Sequence, residues 1–169
     1  MPSEVFVVRW SPEGKFIASG LGDGSIRVLN TETGHVHMLN VGRGRHMPVT
    51  SLRFRPLSSS SKTKNVLLAV DADGVAKHWH VTSGKCLHTI EAAGSNQLFA
   101  VDYRDDGSLF ATAGSDKEVR VVVVVWAFRV CVCCVEKGVA PWRWLACRHP
   151  QPRQRLPAPV IVYSLPGLT

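Results

Sequence analysis

Three short hairpins recur along the chain with one layout, and they restrict its fold more than any other feature. The first is Gly14-Lys15-Phe16-Ile17-Ala18-Ser19-Gly20-Leu21-Gly22-Asp23-Gly24-Ser25-Ile26-Arg27-Val28-Leu29-Asn30: an apolar run, an Asp-Gly turn, then an alternating apolar run. Residues 65–80 repeat it around Asp73-Gly74, and residues 107–121 repeat it around Ser115-Asp116-Lys117. Short apolar runs closed by turn residues read as strands, and Asp-Gly between two of them reads as a tight hairpin. Up to about Val121 the chain hangs on these hairpins; beyond it the pattern stops.

The first two hairpins are flanked by a further strand on either side, and the third by one that precedes it. Val5 to Trp10 leads into the first through Ser11-Pro12-Glu13-Gly14, and His35 to Leu39 follows Thr33-Gly34. In the second unit Val49 to Phe54 alternates as a strand, and Arg55-Pro56 stands where Ser11-Pro12 stood. Ser58 to Lys64 is a polar insertion at that turn, and Lys85 to Ile90 follows Ser83-Gly84. The third unit runs Leu98 to Tyr103, Arg104-Asp105-Asp106-Gly107, Leu109 to Ala113, and Val119 to Val121. Asp23 and Asp73 are 50 residues apart, Asp73 and Asp116 are 43 apart. Without the serine-rich insertion both intervals fit the roughly 40–45-residue period of a four-stranded propeller blade.

With these turns at this period, residues 4–121 resemble WD40 repeats. Trp10-Ser11-Pro12-Glu13-Gly14 is similar to the family's first-strand exit. Trp79-His80 stands where the Trp-Asp dipeptide would close the third strand, and Leu29-Asn30 holds that place in the first unit. The resemblance implies an all-β fold of three four-stranded antiparallel blades belonging to an incomplete β-propeller. Blade 1 is expected at about 4–40, blade 2 at about 48–90, and a truncated blade 3 at about 97–121, followed by an irregular tail. It also implies a stiffening network of His, Ser or Thr, turn Asp and Trp. Carried over, that network has Ser19 and Asp23 in the first unit, His46, Asp73 and Trp79 in the second, and Thr112 and Asp116 in the third. No unit has the full set, so the turn Asp residues are expected to lean on turn backbone amides, as a buried carboxylate needs hydrogen bonds or a counter-charge.

The net charge of +7 is unevenly spread. Residues 1–121 hold 14 Lys and Arg against 12 Asp and Glu, so the last 48 residues carry +5 of it. They also hold four of the five Cys, three of the five Trp and six of the ten Pro. Basic charge that would otherwise point to nucleic acid or an anionic membrane therefore belongs to the tail. Residues 122–169 have no Asp-Gly turn and no blade period; they are expected to be disordered or to come from translated intron, because a GT-alternating tract encodes Val-Cys-Val-Cys. Cys131, Cys133, Cys134 and Cys147 lack zinc-ligand spacing. Trp142, Arg143, Trp144, Arg148, Arg153 and Arg155 suit stacking on bases and gripping phosphates, which keeps nucleic-acid or acidic-partner binding through the tail as an alternative function. Three unclosed blades would expose two apolar faces and a Val-rich edge, so the chain alone is expected to associate or aggregate.

The leading function is a non-catalytic protein–protein interaction scaffold, a subunit of a larger complex. The resemblance implies that partners dock on the face built from the loops leading into the first strands and those between second and third strands. Here these are Arg43, Arg45, His46, Asp71, Ala72, Ser95, Asn96, Gln97 and Ser115. The rival class, an enzyme, would use His35, His37, His46, His78, His80 or His88 with the Asp71/Asp73 pair. Asp is favoured beside tight turns for backbone reasons, however, and no phosphate loop, nucleophile elbow or metal-spaced cluster stands in the sequence. No catalytic, cofactor or metal residue is expected. Met1-Pro2-Ser3-Glu4 lacks the cationic start of a secretory signal, and the apolar run Val121–Phe128 falls far short of the roughly 20 residues of a membrane span. With Cys86 the sole cysteine of the repeats, no disulfide framework is implied, and an intracellular, cytoplasmic protein with protein partners is expected.

Overall fold

Strand-forming residues cluster where the hairpins were read, and the turns between them are short. A computed structural model of the chain describes residues 3–39, 47–57, 64–91, 96–123 and 162–166. The first sheet is β1 (Val5–Trp10), β2 (Phe16–Leu21), β3 (Ile26–Asn30) and β4 (Val36–Leu39), antiparallel and in chain order. The second is β5 (Val49–Phe54), β6 (Val66–Asp71), β7 (Val75–His80) and β8 (Lys85–Glu91). The third contains β9 (Leu98–Tyr103), β10 (Leu109–Gly114), β11 (Glu118–Val123) and β12 (Val162–Pro166). The fold is all-β among the described residues, in three four-stranded antiparallel sheets.

One element departs from the repeat pattern, which ends the third unit at about 121 and leaves an irregular tail with an open Val-rich edge. The structure places β12, from that tail, antiparallel on β11, with Val119 opposite Leu165 and Val121 opposite Tyr163. The edge of β11 would otherwise present a row of unpaired N–H and C=O groups, and Val-Tyr-Ser-Leu has the residue types that pair with such an edge. Pro166 ends the pairing on an outer strand, where a missing N–H is tolerated. The serine-rich insertion 58–63 and the tail's Cys131, Cys133, Cys134, Cys147, Trp142 and Trp144 lie outside the described residues.

The core forms where the sheets face each other. Ala18, Ile26 and Val28 of the first sheet pack against Leu52, Phe54, Leu67 and Trp79 of the second. On the other side of the second sheet, Leu68, Val70 and Ala76 pack against Val101, Tyr103, Phe110 and Val122 of the third. All six residues of β6 are buried, which explains its apolar run from Val66 to Val70: a strand covered on both faces has no polar side, and the one carboxylate, Asp71, stands at its end. Each fully buried Leu or Val contributes about 1.5–3 kcal/mol over its exposed state, so these two layers hold the sheets together. The first strands adjoin one another, β1 beside β5 and β5 beside β9. Gly20 permits part of that approach, since a Cβ there would lie 2.6 Å from Val49 Cγ1.

Candidate functional site

The loops leading into the first strands and the turns between second and third strands meet at one end of every sheet. The same backbone bond joins them each time: Gly22 N donates to Glu4 O at 2.9 Å, Ala72 N to Pro48 O at 3.1 Å, and Ser115 N to Gln97 O at 2.8 Å. Each turn also closes on itself, through Gly24 N to Leu21 O, Gly74 N to Asp71 O, and Lys117 N to Gly114 O. The expected face is therefore assembled by main-chain bonds that do not depend on which side chains it carries.

The next amide in each turn, that of Asp23, Asp73 and Asp116, finds a side-chain acceptor, and a different one each time. Ser3 Oγ accepts from Asp23 N at 2.8 Å. Asn96 Oδ1 accepts from Asp116 N at 3.1 Å and from Ser115 Oγ at 3.0 Å. Ser3 and Asn96 both stand two residues before their first strand, where the second unit has Met47, which offers no oxygen. There Asp71 caps its own turn, its Oδ1 accepting from Asp73 N at 3.0 Å and Val75 N at 2.9 Å. Burial pushes the Asp71 carboxyl above its ordinary range, and these two amide bonds oppose that shift.

The residues assigned to a stiffening network are placed differently. Asp73 and Asp23 are exposed, and Asp23 Oδ1 accepts from Ser25 N at 2.9 Å and Ser25 Oγ at 2.6 Å. Ser19 Oγ donates to Arg27 O at 3.3 Å. Asp116 forms an ion pair with Arg120. Trp79 is buried with no hydrogen-bond partner for its Nε1 among the described residues, Thr112 is buried, and His46 lies outside them. Of the three turn Asp residues expected to use turn amides, Asp23 bonds that of Ser25; in the second unit the amides are bonded instead by Asp71. The buried turn carboxylate of the second unit is Asp71, at the end of β6, and not Asp73 at the turn tip.

Of the proposed contact residues, Gln97 and Ser115 are exposed and Ala72 is half-buried. Asp71 and Asn96 are buried and committed to the turns, so they shape the face without presenting themselves on it. Arg43, Arg45, His46 and Ser95 fall outside the described residues. Asp23, Asp73 and Asp116 occupy one position in the three turns and are all exposed, a rim that was assigned to internal work from sequence.

The histidines are dispersed. His78 is buried between the second and third sheets, its ring 5.3 Å from that of Phe110. Among the described residues neither of its nitrogens has a hydrogen-bond partner, and burial, with His88 and Arg55 adding to it, lowers its pKa to about 3. It is a neutral core ring. His80 Nδ1 lies 2.7 Å from Ser83 Oγ, while His35 and His37 touch edge to face at 4.5 Å on the first sheet. Among the described residues, no three His, Cys, Asp or Glu side chains converge as a metal site.

Residues 2–56 match the family described as the anaphase-promoting complex subunit 4 WD40 domain, and residues 84–122 match the WD domain, G-beta repeat. The chain is 28% identical over 113 residues to the COMPASS component SWD3 of Saccharomyces cerevisiae, covering 66% of this chain and 33% of that protein. It is 27% identical over 109 residues to the WD repeat-containing protein 26 homolog of Arabidopsis thaliana, covering 64% of this chain and 18% of that one. It is 25% identical over 122 residues to the periodic tryptophan protein 2 homolog of Dictyostelium discoideum, covering 72% of this chain and 12% of the relative. The chain thus spans a third or less of these relatives. A chain in the crystal structure of a mitotic checkpoint complex superposes with a TM-score of 0.58 at 24% identity, over 70% of this chain and 33% of that one.

Proposed function

The chain belongs to the WD40-repeat family, and from that premise we propose that it is a non-catalytic protein-binding scaffold that engages its partner through the face described above. The observation that carries the reading is the threefold recurrence of one backbone bond, Gly22–Glu4, Ala72–Pro48 and Ser115–Gln97. It holds two loops per sheet at one end, and loops on a rigid scaffold are where binding residues sit. The relatives SWD3 and the checkpoint-complex chain are named as parts of complexes, which supports a role as a subunit. Exposed Asp23 and Asp73 give the face an acidic rim, suited to a partner with basic side chains, while Asp116 is paired with Arg120. In this reading the protein works inside the cell and needs no cofactor.

The test is affinity capture of a protein partner from cell extract by the full chain, identified by mass spectrometry, followed by direct binding. Asp73→Lys with Gln97→Lys should abolish binding, whereas Glu32→Lys with Asp105→Lys, in the turns at the opposite end of the strands, should leave it intact. Binding that survives the first pair and fails with the second would overturn the assignment of the face. Turnover of a substrate by the purified chain would overturn the scaffold reading itself.

A further inference from the structure

The three sheets stack by one repeated contact, and the chain carries each half of that contact once too often. Trp10, Phe54 and Tyr103 are equivalent, since each precedes the same backbone bond: Ser11 N to Phe16 O, Arg55 N to Val66 O, and Arg104 N to Leu109 O. Directly opposite them lie Ile17, Leu67 and Phe110, and next across each sheet are Leu29, Trp79 and Val122. In the second and third sheets this bulky face is buried against the sheet before it. In the first sheet it is open, with Trp10 61%, Met38 58%, Val36 50% and Val8 47% exposed.

The receiving half of the contact follows the same register. On the first sheet it is Ala18, Gly20, Ile26 and Val28, which accept Phe54 and its neighbours. The equivalent positions of the third sheet are Ala111, Ala113, Val119 and Val121, again small or β-branched residues. No described element covers them. A bulky face without a socket and a socket without a bulky face are thus present in one chain, matched position for position to two contacts the molecule already makes.

We propose that a second copy of this chain occupies the open face of the first sheet with the open face of its third sheet, and that the reciprocal contact closes the pair. A head-to-tail contact either closes or continues as an open fibre. Two copies present two such contacts related by a twofold axis, and closure covers the exposed apolar face of each first sheet with the half-buried Ala and Val face of the other copy's third sheet. A contiguous apolar face of this kind marks an association surface. Dimerisation goes beyond the partner face of the proposed function, which lies at the strand ends and stays accessible in the pair.

Sedimentation equilibrium of the full 169-residue chain tests this. The unaltered protein is expected to sediment as a dimer. Trp10→Glu on the bulky face and, separately, Ala113→Arg on the socket should each weaken association about 100-fold while keeping the sheet circular dichroism, because central aromatic anchors dominate such interfaces. Mixing the two variants should restore a dimer, since one copy retains an intact third-sheet face and the other an intact first-sheet face. Met38→Lys replaces Trp10→Glu if that variant loses its sheet spectrum. A monomer for the unaltered chain, polymers that lengthen with concentration, a dimer indifferent to both substitutions, or two folded variants that do not associate on mixing would each overturn the proposal.

Discussion

Arg55 donates its Nε proton to the backbone carbonyl of Gly107 across 2.9 Å, tying the exit of β5 to the turn between β9 and β10. The guanidinium is buried, which lowers its pKa, and Tyr103 and Asp106 oppose that shift. Gly107 has φ +66°, and a Cβ there would lie 2.8 Å from Arg55 Nε. Gly107→Ala therefore meets two penalties, left-handed backbone and displacement of the arginine. Gly34, at φ +71° with open space around it, meets only the first. Gly34→Ala should cost about 1 kcal/mol and Gly107→Ala about 2–3 kcal/mol in urea unfolding, the difference measuring the contact between the second and third sheets. Equal losses would mean that Arg55 does not join the sheets.

Lys117 holds φ +64° at the turn position where the first two hairpins carry Gly24 at +79° and Gly74 at +81°. A side chain in that region is strained by its own Cβ, and glycine is not. Lys117→Gly should raise the unfolding free energy by about 0.5–1 kcal/mol, whereas Gly74→Lys should lower it by a similar amount, both read from chemical denaturation. The sign of the pair, opposite at equivalent positions, is the informative result.

These two turns show what the sequence made legible and what it did not. The hairpins, their period and the equivalence of Arg55-Pro56 with Ser11-Pro12 were open to reading because each is written in adjacent residues: Arg55 N bonds Val66 O as Ser11 N bonds Phe16 O. The fourth strand of the third sheet was not, because its partner strand lies far along the chain and no local turn announces it. Asp71 was passed over for Asp73 because the Asp-Gly dipeptide draws the alignment to the turn tip, while capping falls to the residue that ends the strand. Ser3 and Asn96 had a readable signal, a polar residue two positions before a first strand, but only two of three units carry it. The burial of His78 depends on the third sheet covering the second, which no local pattern encodes.

Asn96 is the acceptor that holds the third turn, so its removal should be felt locally first. Asn96→Ala leaves the Asp116 amide and the Ser115 hydroxyl without their partner. A lost buried side-chain acceptor costs about 1–2 kcal/mol. Native-state hydrogen exchange should show the Asp116 amide exchanging roughly 10-fold faster, with amides of β6 unchanged. Ser3→Ala should do the same to the Asp23 amide alone. A uniform acceleration across all three sheets would show instead that Asn96 supports the whole fold.

His78 links stability to pH. Its folded-state pKa lies at about 3, below its ordinary value near 6.5, because burial among Phe110, Tyr103 and His88 disfavours the charged ring. The unfolded chain takes up this proton as pH drops below about 6.5, while the folded chain resists until about 3, so the unfolded state binds more protons in that window. Stability is full above about pH 6.5 and falls with acidification by about 1.4 kcal/mol per pH unit from this group. His78→Leu should flatten the slope between about pH 5 and 6.5, above the carboxylate range, while His88→Leu, at an exposed position, should leave most of it. Thermal unfolding at several pH values reads both, and an unchanged slope in His78→Leu would mean that this ring is protonated within the folded core.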